Sequence, residues 1–108
     1  MYSIAVSREV LKELGDTRRY TAKVLRQIAL KIFELSVNPC PQDVKQIGSG
    51  YRVDSGSYRI YYEVDNEERL ISVLLVAKRG DDEIYRRLKR RFGQLNGESE
   101  AAAPAPDG

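Results

Sequence analysis

Ser57-Tyr58-Arg59-Ile60-Tyr61-Tyr62-Glu63-Val64 and, beyond a short polar break, Leu70-Ile71-Ser72-Val73-Leu74-Leu75-Val76-Ala77-Lys78-Arg79-Gly80 are the stretches that decide how this chain folds. In the first, Tyr58, Ile60, Tyr62 and Val64 alternate with Arg59, Tyr61 and Glu63. That period of two marks a strand with one face on a core and the other turned away from it. The second, over residues 69–78, is nearly all apolar, as expected of a strand inside a sheet and covered on both faces. A helix over about residues 82–92 follows, placing Ile84, Leu88 and Phe92 at i, i+4 and i+8. Arg59 and Arg79 stand twenty positions apart, with Tyr85 six further on. Such a set suits a phosphodiester and a stacked base, because the guanidinium fork fits two phosphate oxygens at once.

Outward from these stretches, Tyr2, Ile4 and Val6 alternate with Ser3, Ala5 and Ser7, which predicts a first strand. Ser7 caps a short helix carrying Val10, Leu11 and Leu14, and Gly15 stops it. A longer helix, capped by Asp16 or Thr17, bears the stripe Leu25, Ile28, Ile32 and Leu35, flanked by Val24, Ala29 and Phe33. Asn38-Pro39 ends it, since a residue before proline is pushed out of the helical region. Gly48-Ser49-Gly50 interrupts the next segment, leaving Tyr51-Arg52-Val53 as a short strand, and Asp54-Ser55-Gly56-Ser57 reads as a turn. The predicted order is β-α-α-β-β-β-α: an α+β fold with a helical hairpin on one face of a four-stranded, mostly antiparallel sheet, and a C-terminal helix. The other face is then expected to be open, with Arg52, Arg59 and Tyr61 on it and Lys78, Arg79 and the last helix at its border.

Composition excludes several chemistries. With no histidine and one cysteine, the chain can form no internal disulfide, no Cys/His zinc site, no Ser-His-Asp triad and no Cys-His pair. Cys40, in Asn38-Pro39-Cys40-Pro41, reads as an inert loop or half-buried thiol. The apolar run 70–77 is too short to span a bilayer, and Met1-Tyr2-Ser3-Ile4 does not open a signal peptide, so a cytoplasmic protein without membrane contact is expected. One domain over 1–95 carries 18 basic and 13 acidic side chains, for a net +5. The tail 96–108 has Glu98, Glu100 and Asp107 and no base, and its Ala-Pro composition predicts disorder. A basic body suits a polyanionic partner.

Several motifs occur together in order: the Asn38-Pro39 break, Gly50-Tyr51-Arg52-Val53, Ser57-Tyr58-Arg59-Ile60-Tyr61-Tyr62, and Lys78-Arg79 followed by Ile84-Tyr85-Arg86-Arg87. In these the chain, over residues 2 to about 92, resembles the RelE/ParE toxin superfamily and its RelE branch in particular. The resemblance implies a toxin of a type II toxin–antitoxin pair, a ribosome-dependent endoribonuclease that cuts mRNA in the A site and is silenced by a RelB-like antitoxin. It implies catalytic roles for Arg79 near the leaving group, Arg59 on the phosphate, Tyr85 against the nucleotide, and Arg52 at a second-strand position where relatives often carry a lysine proposed as the base. Lys45, Tyr61, Lys78 and Arg86 are then the RNA-binding residues, with no metal and no cofactor. Such relatives often carry two basic residues two apart on that strand; here the earlier position is Gly50 and only Arg52 remains. Arginine, with a pKa above about 12, accepts protons poorly, so the base is left without an assignment.

The chemistry needs no outside nucleophile, because the RNA's own 2′-hydroxyl can attack the adjacent phosphorus while the protein aligns the three reacting atoms and offsets charge. Singly, each residue has a plainer role. Arg59 can be a solvated strand residue paired with Glu63, Arg79 a contact at a helix turn, and Tyr85 a core aromatic; only the set points to RNA. Two alternatives stay open: a ParE-like protein that inhibits DNA gyrase by binding, and a catalytically weak relative that binds antitoxin.

Overall fold

Ser7 and Thr21 open the first two helices of the computed structural model, which describes residues 1–80 and 83–92. The elements are β1 (Ser3–Val6), α1 (Arg8–Leu14), α2 (Ala22–Val37), β2 (Lys45–Ile47), β3 (Gly50–Ser55), β4 (Tyr58–Asp65), β5 (Leu70–Lys78) and α3 (Glu83–Phe92). The Ser7 hydroxyl accepts from the Val10 N–H at 3.2 Å, as the sequence predicts. The cap of α2 lies later than expected. Asp16 and Thr17 belong to a turn in which the Asp16 carbonyl accepts from the N–H groups of Arg19 and Tyr20. That turn delivers Tyr20 to the core, its ring centroid 5.2 Å from that of Tyr58, before Thr21 caps the helix. Ile28, Ile32 and Leu35 are buried as the stripe requires, whereas Phe33 points outward and is exposed together with Leu30 and Val37.

The sheet has five strands rather than four, in the order β1-β5-β4-β3-β2. β1 pairs with β5 in parallel, and the other neighbours are antiparallel. The additional strand, β2, folds back on β3 through Gly48-Ser49, with Gly48 at φ 56°. It is three residues long and lies at the sheet edge, Lys45 and Gln46 exposed, so it carries no alternation to read. Between Tyr61 and Tyr62 the β4–β5 register shifts: Tyr61 faces Leu75 but Tyr62 faces Val73, leaving Leu74 as an extra residue on β5. The bulge reverses which side chains of β5 point to which face. Ile71, Val73 and Val76 join the core under α1 and α2, while Leu75 and Ala77 point to the opposite side.

That opposite side is not open. Ile84 and Leu88 of α3 pack on Tyr61, Leu75 and Ala77 to make a second, smaller core. Fully burying side chains of this size contributes about 1.5–3 kcal/mol each, which is why the C-terminal helix settles here rather than at the border. Arg87 pins it. One Nη donates to the Val76 carbonyl at 2.9 Å, a group beyond the reach of β1, whose last pair is Val6 with Val73. The other Nη is paired with Glu13 of α1. The expected boundary after residue 95 and the acidic tail 96–108 lie outside the described residues, as does the side chain of Phe92.

Candidate active site

Asp54 organises the basic groups. β3 and β4 are joined by two residues, Gly56-Ser57, with Gly56 at φ 58°, and this tight connection sets Asp54 directly opposite Arg59. Alternation puts Arg52 and Asp54 on one face of β3, and pairing puts Arg59 beside them on β4. The Asp54 carboxylate then receives three guanidinium groups. Oδ1 accepts from Arg59 Nε at 3.1 Å and from Arg52 Nη1 at 3.5 Å, while Oδ2 lies 3.4 Å from Arg79 Nε.

Arg79 enters from just beyond β5, and the β3–β4 turn holds it. Its N–H donates to the Ser57 carbonyl at 2.9 Å and its Nη1 to the Gly56 carbonyl at 3.1 Å. The short turn therefore sets both Asp54 and Arg79. Arg52 also stands over the ring of Tyr85, 6.0 Å from the centroid, so the helix contributes an aromatic face to the cluster. The Arg52 and Arg59 side chains are only 12% and 17% exposed, against 49% for Arg79. Arg79 is thus the most accessible of the three cations, and one carboxylate leaves the cluster with a surplus of positive charge. Arg52 Nε is buried with no hydrogen-bond partner. Among the described residues no three His, Cys, Asp or Glu side chains come together as metal ligands. No helix among them is long and apolar enough to cross a membrane.

The family described as the ParE toxin of the type II toxin–antitoxin system parDE matches residues 4–83. The chain belongs to this ParE toxin family. It is a toxin of a type II toxin–antitoxin system, within the RelE/ParE superfamily. The isolated RelE toxin of E. coli is 26% identical, with a TM-score of 0.62 over 85% of this chain and 99% of that one. The archaeal RelE–RelB complex of Pyrococcus horikoshii OT3 contains a chain 24% identical, with a TM-score of 0.66 over 74% of this chain and 97% of that one. In the intact RelBE toxin–antitoxin complex of E. coli the values are 25%, 0.61, 74% and 99%. No curated protein sequence matches the chain.

Of the residues singled out in the toxin's sequence, Arg52, Arg59, Arg79 and Tyr85 come together. Lys45 is exposed and pairs with Arg52 across β2 and β3, so it borders the group. Lys78 is exposed where β5 ends, its N–H donating to Glu83, and Arg86 is exposed on α3. Tyr61 departs from expectation. It is buried beneath α3, its hydroxyl donating to Glu63 at 3.5 Å, and burial followed by the nearby Glu63 charge pushes its pKa up to about 12. Its ring is core, with no exposed face for a base. Arg59 pairs with Asp54, while Glu63 accepts from Ser49 at 2.8 Å instead. Gly50 carries no side chain for a packing reason, since a β-carbon there would lie 2.6 Å from the Tyr61 ring. Cys40 is exposed in its loop. In sequence Asp54 reads as the start of the turn Asp54-Ser55-Gly56-Ser57; because the turn is only Gly56-Ser57, Asp54 instead lies on β3 between Arg52 and the turn, opposite Arg59.

Proposed function

We propose that this toxin is a ribosome-dependent endoribonuclease that cuts mRNA in the A site and so inhibits translation in the cytoplasm. The observation that carries the reading is the convergence of Arg52, Arg59 and Arg79 on one point beside Tyr85. A phosphodiester gains charge as the 2′-hydroxyl adds to phosphorus, and three guanidinium groups around it offset that charge at fixed positions. Arg79, the most exposed, meets the leaving oxygen, Arg59 and Arg52 hold the phosphate, and Tyr85 supports the nucleotide. Lys45, Lys78 and Arg86 draw the strand in from the border. In this reading the ribosome supplies the alignment of the strand, and naked RNA is cut poorly.

Toe-printing of an mRNA in a translation reaction with purified toxin tests the proposal. Cleavage at the A-site codon, with 5′-hydroxyl and 2′,3′-cyclic phosphate ends, supports it. Equal cutting of naked RNA, or an intact message, counts against it. A second reading, inhibition of DNA gyrase by binding, is favoured by the match to the ParE family over residues 4–83. Loss of gyrase supercoiling with mRNA left intact would select it.

The partner we propose is a RelB-like antitoxin. An E. coli toxin at 25% identity is found in an intact RelBE complex. On this toxin, Leu30, Phe33 and Val37 form an exposed apolar stripe along α2, the kind of surface an amphipathic antitoxin helix covers. Phe33→Asp should weaken co-purification with the antitoxin encoded beside this toxin; undiminished binding would place the partner elsewhere.

A further inference from the structure

The proposed cleavage requires the 2′-hydroxyl to lose a proton, and none of the arginines accepts one, since guanidinium stays charged at any working pH. Nor does Tyr61 provide a base: its phenol, held protonated by burial, is turned to Glu63 and lies under α3. Glu63 itself is engaged by Ser49 and Tyr61, and Glu83 by the Lys78 N–H, Arg19 and Arg87. Among the described residues, the carboxylate in contact with all three arginines is Asp54.

We infer that Asp54 is the general base of this toxin, the group that takes the proton from the attacking 2′-hydroxyl; the inference rests on the cleavage reading above. β3 thus supplies the base two residues after Arg52, on the same face, as an acid residue rather than a lysine. Asp54 contacts Nη1 of Arg52 and Nε of Arg59 and Arg79. A guanidinium has five N–H donors, so a phosphodiester can share the same three groups with the carboxylate instead of replacing it. The shared guanidinium groups then hold phosphate and carboxylate side by side, with the 2′-oxygen that adjoins the phosphate between them. In the step itself the O2′–P bond forms and the P–O5′ bond breaks. The proton on O2′ passes to Asp54, the departing O5′ takes one from water, and Asp54 returns its own to solvent. The charged groups in contact with Asp54 are Arg52 from its own strand, Arg59 from β4 and Arg79 from beyond β5; Lys45 of β2 stands in register with Arg52, and Tyr85 of α3 lies under the Arg52 guanidinium.

A pH profile separates a proton acceptor from a clamp that merely spaces the arginines. Single-turnover cleavage on ribosomes is measured for wild type and Asp54→Asn between about pH 6 and 9, above the range in which carboxylates usually titrate. The wild-type rate is expected to be level across this window. Asp54→Asn should cut at least about 100-fold more slowly at neutral pH, the usual effect of removing a general base. Its rate should rise tenfold per pH unit as hydroxide takes over, while sedimentation with ribosomes is unchanged. Asp54→Glu should keep the level profile. Asp54→Asn at the wild-type rate or faster overturns the inference, and so does a variant slowed by one factor at every pH. The wild-type profile needs no variant to fold: a tenfold rise per pH unit in it also rules Asp54 out. A wild-type toxin that cuts no mRNA removes the reaction and this role together, whereas cutting indifferent to Asp54 removes the role alone.

Discussion

At Gly50 a β-carbon would come within 2.6 Å of both the Tyr61 ring and the Tyr62 carbonyl oxygen, so any side chain must displace backbone or a buried aromatic. Gly50→Ala should therefore cost about 1–3 kcal/mol of stability, as overpacked cores do, seen as a lower midpoint in urea denaturation. The arginines separate by burial. Arg79→Ala removes a half-exposed side chain, so folding should be nearly unchanged while single-turnover cleavage falls by about 2.7–4 kcal/mol of transition-state stabilisation, as when an oxyanion donor is lost. Arg59→Ala should lose as much activity and also melt earlier, because its mostly buried pairing with Asp54 goes with it. Full toxicity of the Arg79→Ala strain on induction would remove that residue from the chemistry. The residue types of this site were legible before folding. That Tyr61 is core and Asp54 is central was not, because both facts depend on what packs across from them.

The helix α3 is the element on which the site is most exposed to change. It brings Tyr85 to Arg52, yet its hold on the sheet rests on Ile84, Leu88 and the Arg87 contacts with Glu13 and the Val76 carbonyl. Arg87→Met keeps the aliphatic stem but leaves Glu13 without its cation, so α3 should loosen by about 1.5–3 kcal/mol, the worth of a hydrogen bond to a charged group. Hydrogen exchange would show this as faster exchange confined to residues 83–92, with activity falling alongside; uniform protection would mean that the two apolar anchors suffice. The stripe of α2 and the alternation in β4 were plain in the sequence, since each repeats over enough residues for its period to appear. β2 was hidden by its length and exposure, and the bulge at Leu74 by the uniformly apolar character of β5, which looks the same in either register.

Across the whole molecule, four tyrosines, Tyr20, Tyr51, Tyr61 and Tyr62, have pKa values raised above the usual 10, burial being the first cause in each. Their neutral forms are favoured by folding, so this stability is complete below the unfolded value near 10 and is lost as pH rises through the folded ones. For Tyr61 the window runs from about 10 to about 12, and the loss is on the order of 2–3 kcal/mol. Urea denaturation at pH 9 and above pH 10 should show a steep decline in wild type and a shallower one in Tyr61→Phe. Identical slopes would mean that the phenol reaches water in the folded toxin.

Periodicity, the Ser7 cap and the Asn38-Pro39 break by themselves determined an α+β chain with a helical pair, a sheet and a final helix, because these signals act between neighbours in sequence. The basic residues of the site were also readable in advance. Only the tertiary structure decided which face each residue of β5 presents beyond its bulge, that α3 covers the far side of the sheet, and that one carboxylate gathers three arginines. Those outcomes follow from contacts between residues far apart in the chain, where a single bulged residue or a two-residue turn reverses what meets what.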